Sequence, residues 1–151
     1  MQTVDYILRT TWLSLKKMYN DEGAKFGITM ATGFALLSID TKIGISATAL
    51  GPKMGIESTS LSRTIKLMEQ KGLVTKHPNP SDGRGVIIKL TARGLEARSR
   101  AREKVLQFNN AVMHNISKKK LSHFFEVSKL IGDIASNKAI FKKSSNLDFK
   151  K

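Results

Sequence analysis

The sequence predicts a mainly α-helical chain carrying one small β-hairpin, on three observations. Between Ile56 and Gly72, Leu61, Ile65 and Met68 fall on one narrow stripe when each residue is given roughly 100° of helical turn, while Thr59, Arg63 and Lys66 point the other way. Directly after it, Leu73-Val74-Thr75-Lys76-His77 and Val86-Ile87-Ile88-Lys89-Leu90 are β-prone, and the stretch from Pro78 to Gly85 between them is dense in turn formers. On either side, longer stretches repeat apolar residues at helical spacing. Helix, strand, turn, strand is the outline of a winged helix.

Each element follows in order. Val4, Ile7, Leu8, Trp12, Leu15, Met18 and Tyr19 define an amphipathic helix to about Glu22. Thr29 is placed to cap a second helix, to about Asp40, with Met30, Phe34 and Leu37 on one stripe, and Ile43-Gly44-Ile45 reads as a short apolar turn. Ser46 is a good N-cap for a third helix through Met54. Gly51-Pro52 lies inside that helix, and an interior proline removes a donor and clashes with the preceding turn at a cost of about 3 kcal/mol, so this helix should be short or bent. Gly55-Ile56 turns into the helix of the first paragraph, completing a helix-turn-helix whose first member braces the second. Gly72 ends it as the C′ residue, with Lys71 in the last turn where a cation suits the dipole. Leu67 lies off the buried stripe and either touches a thymine methyl or packs beside the hairpin. Thr91 should cap a long helix from Ala92 to about Ile116, with Gly94 allowing close packing, and Ser117 a final helix in which Leu121, Phe124, Phe125, Ser128, Ile131 and Ile134 form a stripe.

The chain of 151 residues is one domain's worth, and its formal net charge of +14 favours a polyanionic partner: DNA, RNA or an anionic surface. It lacks cysteine, which excludes disulfides, thiolate sensing and Cys-ligated metals. No run of about 18 apolar residues occurs, so no membrane span or membrane partner is expected, and the opening residues do not read as a signal peptide. A cytoplasmic protein is the simplest inference. Enzyme readings find no footing: no nucleophile-base arrangement, paired carboxylates or phosphate-binding loop is spaced to work. His77, His114 and His123 show no ligand spacing, and neither a metal site nor a cofactor is expected.

Gly72-Leu73-Val74, Asp82-Gly83-Arg84 and Leu90-Thr91-Ala92-Arg93-Gly94 together resemble the Gly-Leu-Val/Ile, Asp-x-Arg and Leu-Thr-x-x-Gly run of the MarR family of bacterial transcription regulators. The resemblance spans about Ile43 to Gly94. It implies a winged helix-turn-helix over about 29–91 with dimerisation helices over about 3–24 and 92–140, and the residues themselves read as a single domain ending in a mobile, basic tail over 141–151. Apolar faces on the first and last two helices, too wide for so small a unit to cover, ask independently for a second copy, and two-fold homodimers are the commonest soluble oligomers.

The residues then fall into groups. Ser58, Thr59, Ser60, Ser62, Arg63 and Lys66 dress the outer face of the reading helix with short hydroxyls and cations, suited to phosphates and base edges of double-stranded DNA; Arg63 suits a guanine. The resemblance implies that Arg84 enters the minor groove and that Asp82 holds it by a charge-assisted contact, with Gly85, where the family often has a larger residue, loosening the tip. Lys53, Lys76 and Lys89 are either phosphate contacts or solvated charges. Tyr6, Trp12, Tyr19, Phe26 and Phe34 are either core or the lining of a pocket where, by the resemblance, a small aromatic effector would bind. The expected function is a dimeric, sequence-specific regulator on a near-palindromic operator, and the resemblance implies a repressor relieved by a ligand; the rival is a non-specific basic DNA- or RNA-binding protein.

Overall fold

The computed structural model describes residues 2–141, which form two compact units parting at Gln107 and Phe108. The first opens with α1 (Val4–Ala24) and α2 (Met30–Ser38). Thr29 starts α2 as expected, its hydroxyl accepting the Thr32 N–H at 3.1 Å, and the Asn20 side-chain oxygen accepts the Met30 N–H at 2.8 Å. The helix stops at Ser38, not Asp40. Asp40 instead organises the next turn: its carboxylate accepts the N–H groups of Lys42 and Ile43 at 2.7 and 2.9 Å, and the bond from Ile43 foremost holds its carboxyl below the usual carboxylate range.

Here the structure corrects the sequence reading. Ile45, the last residue of the expected turn, and Ser46, the expected cap, together form a strand, β1. It pairs antiparallel with β3 (Asp82–Leu90), Ile45 opposite Ile88 and Ser46 opposite Ile87, and β2 (Val74–Asn79) pairs on the other edge of β3. Gly44 makes the approach feasible. Its φ of +77° is strained for any other residue, and a Cβ there would stand 2.4 Å from the Ile88 carbonyl oxygen.

Ser46 caps α3 (Ala47–Met54), accepting the Ala49 N–H at 3.3 Å. The helix is short, as Pro52 demanded. Pro52 and Thr48 are both exposed, so water can serve the carbonyl that the proline leaves unpaired. Buried Gly51 lets α4 (Ser58–Gln70) cross close by, a Cβ there coming to 3.3 Å from Leu61. The expected stripe holds: Leu61, Ile65 and Met68 are buried with Leu36, Ile39, Leu50, Leu73, Val74 and Ile88 in one core. A fully covered side chain such as Met68 contributes about 1.5–3 kcal/mol.

The hairpin is longer and its turn tighter than expected. Strand pairing runs out to Asn79 and Asp82, leaving Pro80 and Ser81 at the tip, and Asp82 and Arg84 sit on β3 itself. Pro78 is tolerated because β2 is an edge strand, and the register shifts immediately after it. Thr91 then caps α5 (Ala92–Asn115), accepting the Gly94 N–H at 3.0 Å while its hydroxyl donates to the Gly72 carbonyl at 2.6 Å.

In the second unit, Ser117 caps α6 (Lys118–Ser136), and a single 3-10 turn, Lys138–Phe141, follows. Of the expected stripe, Leu121, Ser128 and Ile131 are half-buried, whereas Phe124, Phe125 and Ile134 are exposed. Most of the basic tail lies outside the described residues. Among those residues no helix is long and apolar enough to cross a membrane.

Candidate nucleic-acid interface

Burying Leu61, Ile65 and Met68 fixes the rotation of α4, and that rotation exposes Ser58, Thr59, Ser60, Ser62, Arg63 and Lys66 together. Thr59, Ser60, Arg63 and Thr64 line a shallow recess on this face. The N-cap, Glu57, makes no side-chain cap bond. The amides of the first turn are therefore left for an external acceptor, and a helix N-terminus favours anions. Thr64 turns its hydroxyl back to the Ser60 carbonyl at 2.9 Å. Leu67 is half-buried at the edge.

At the hairpin, Arg84 is exposed, but Asp82 holds it differently from expectation. The carboxylate accepts the backbone N–H of Arg84 at 3.1 Å, and among the described residues it makes no ion pair with the guanidinium. Asp82 thus shapes the strand and leaves the Arg84 side chain free to reach outward. Gly85 also differs from its expected effect. A Cβ there would meet the Asp82 carboxylate at 2.9 Å and Asn79 at 3.1 Å, so the bare backbone lets the tip close. Gly85→Ala is expected to pry Asp82 from the Arg84 amide, speeding its hydrogen exchange at least about fivefold, the ~1 kcal/mol of one such bond. Unchanged exchange would mean that the carboxylate simply swings aside.

The lysines divide. Lys76 pairs with Glu69 on α4 at 2.6 Å, Lys53 donates to the Ser38 carbonyl at the end of α2 at 2.9 Å, and Lys89 is exposed. Lys71 donates to the Gly27 carbonyl, tying the end of α4 to the α1–α2 link. His77 turns its ring to the Thr75 hydroxyl at 2.9 Å.

The aromatic group does not hold together. Phe26 and Phe34 line one cavity of about 30 Å³ between α1, α2 and α5 together with Tyr19, which meets Phe34 edge-on at 5.8 Å. Tyr6 and Trp12 do not line it; each is 48% exposed on α1. The sequence reading missed the charged rim. Lys104 lies 3.4 Å from Glu22 and, with Arg100, faces the Phe26 ring. Hydrogen bonding from Lys25, then Lys104, holds the Glu22 carboxyl below its usual range, while burial pushes the Tyr19 hydroxyl up. The cations Arg100 and Lys104 are legible in the sequence as part of the basic first half of α5, but not their partners, Glu22 on α1 and Phe26 in the turn after it.

Comparison with known proteins places this geometry. A profile of the MarR family matches residues 28–86, the helix-turn-helix and the hairpin up to β3. The multiple antibiotic resistance protein MarR of Escherichia coli is 32% identical over 78 residues, 52% of this chain and 54% of that protein. The organic hydroperoxide resistance transcriptional regulator of Bacillus subtilis is 28% identical over 96 residues, 64% and 65% of the two chains. An uncharacterised HTH-type transcriptional regulator of the same bacterium, YdgJ, is 30% identical over 73 residues, 48% and 44%. The matched segments thus span roughly half to two thirds of these relatives. Among solved structures, the fold is shared with MepR of S. aureus in complex with DNA (TM-score 0.79, 16% identity, 88% of this chain and 99% of that one) and with a mutant MarR of E. coli in complex with operator DNA (TM-score 0.75, 22% identity, 85% and 92%). The matched segment, the shared order of elements and the winged hairpin agree: residues 28–86 are similar to the MarR family of transcriptional regulators, and the chain has the winged helix-turn-helix fold of MarR and MepR.

Proposed function

We propose that the chain is a sequence-specific DNA-binding transcriptional regulator and not an enzyme, working in the cytoplasm as a homodimer on a near-palindromic operator, and that it is a repressor relieved by a small aromatic effector. The observation that carries this reading is the outward face made by Thr59, Arg63 and Lys66 on α4, together with an exposed Arg84 on the hairpin that follows it in the chain. A helix so dressed suits the major groove, and a slender ribbon carrying an exposed arginine on β3 suits the narrower groove. In two-fold copies, half-sites would lie about one helical turn, 34–36 Å, apart. MarR and MepR were each solved with DNA, which supports the same use of the shared fold. The Tyr19, Phe26 and Phe34 cavity is the seat for the effector; at about 30 Å³ it holds about one water and must open for a larger guest.

The net charge of +14 also suits an unspecific binder, so the decisive measurement is preference. Duplexes selected from a random pool should yield a two-fold site that outcompetes random DNA about a thousandfold or more. Arg63→Ala should cost about 1–3 kcal/mol at that site and relax base choice, whereas Arg84→Ala should weaken affinity with less change in preference. If no duplex is preferred, or both variants bind like the parent, the regulator reading fails and the unspecific one stands.

A further inference from the structure

Lys76 differs from the other cations of the proposed interface. Its amine lies 2.6 Å from a Glu69 carboxylate oxygen, with the side chains 43% and 35% exposed. Among the described residues Arg63, Lys66 and Arg84 have no carboxylate within ion-pair distance. The geometry follows from strand alternation. Thr75 and His77 share one face of β2, joined by their 2.9 Å contact, so Lys76 leaves from the opposite face, where the last turn of α4 carries Glu69.

Resting on the DNA-binding reading above, we infer that Glu69 takes the place of a DNA phosphate at Lys76 and so holds down the sequence-independent part of the affinity. A lysine that meets a phosphate releases a counterion from the duplex, and each such contact adds about 0.9 to the slope of log affinity against log salt. Lys76 cannot do this without cost. Leaving Glu69 bares a carboxylate that gathers a cation of its own, so the ion released by DNA is balanced by the ion taken up. If the pair persists in the complex, no counterion is released at this position either. In both cases Lys76 contributes shape and register to the hairpin but almost no charge-driven grip. The recognition residues on the outer face of α4 are untouched by the exchange. Glu69 therefore trims binding to arbitrary DNA in a chain whose charge would otherwise hold it there.

The test is a salt titration of the full chain on a random-sequence duplex, from about 50 to about 200 mM, with Glu69→Gln, Lys76→Gln and the double variant. Glu69→Gln should bind about three- to tenfold tighter near physiological salt and steepen the slope by about 0.9. Lys76→Gln alone should leave the slope nearly unchanged, and the double variant should return it to the parent value. A slope indifferent to Glu69→Gln overturns the inference. So does a flattening of about 0.9 in Lys76→Gln alone, or weaker binding by Glu69→Gln, which would make Glu69 a strut for the hairpin. Because this titration needs no preferred site, its failure is distinguishable from failure of the regulator reading, which turns on selection and on Arg63→Ala; a chain that binds no duplex sinks both.

Discussion

Gly94→Ala is expected to lower stability by more than about 3 kcal/mol and the melting temperature by more than about 10 °C. A Cβ at this position would stand 1.9 Å from the Leu73 carbonyl oxygen and 3.0 Å from its carbon, contacts with backbone and not with the yielding end of a side chain. That backbone is held on both sides. The Leu73 N–H donates to the Met68 carbonyl at 2.9 Å, and the Leu73 carbonyl accepts the Thr91 N–H at 3.1 Å. Room for a methyl therefore requires breaking the link between the end of α4 and the start of α5, so that overpacking of about 1–3 kcal/mol adds to hydrogen bonds of about 1 kcal/mol each. Against a typical total of about 5–15 kcal/mol the margin left is thin. Thermal unfolding followed by circular dichroism measures it. A variant melting within a few degrees of the parent would show that α5 does not pass over Leu73 so closely.

The second large effect concerns the proposed dimer. Phe124 and Phe125 stand 57% and 64% exposed on α6, with Leu130 and Ile134 also bare, and α1 separately exposes Ile7, Leu8, Trp12 and Leu13. Monomeric proteins seldom present contiguous apolar surface on this scale. Replacing Phe124 and Phe125 together with aspartate should give a monomer with the parent's helical content, because neither ring is buried within the single chain. Two linked reading heads bind more tightly than one by about 10²–10⁴, so affinity for a two-fold site should fall by at least about a hundredfold. Light scattering and DNA titration read the two consequences together. A variant that remains dimeric, or a monomer that binds the site undiminished, would remove the dimer from the account.

The features that could be read from the residues are those whose cause is local. Thr29, Ser46, Thr91 and Ser117 each cap the helix expected of them, since a cap needs only a short side chain within a turn of its partner amide. The stripe of α4 was legible for the same reason, and with it the outward face. What escaped depends on distant chain. Two residues are too few for a periodic signal, so β1 exists only because β3 lies beside it. The extension of the hairpin to Asn79 and Asp82 reflects cross-strand pairing that outweighs a turn-rich composition. The Asp82 carboxylate went to a backbone amide two residues on, a use as ordinary for aspartate as an ion pair and indistinguishable from it in sequence. Lys76 and Glu69 meet only because a strand and a helix are packed together, and Tyr6 and Trp12 lie too far along α1 to join Phe26.

Joining Ile45 to Ile88 and Ser46 to Ile87 ties off a length of chain that holds α3, α4 and β2 inside it. A segment closed in this way cannot fray inward from a free end; it opens only when the knot of two residues comes undone. Amide protection along α4 should accordingly rise and fall in step with that of the strands, as one cooperative block.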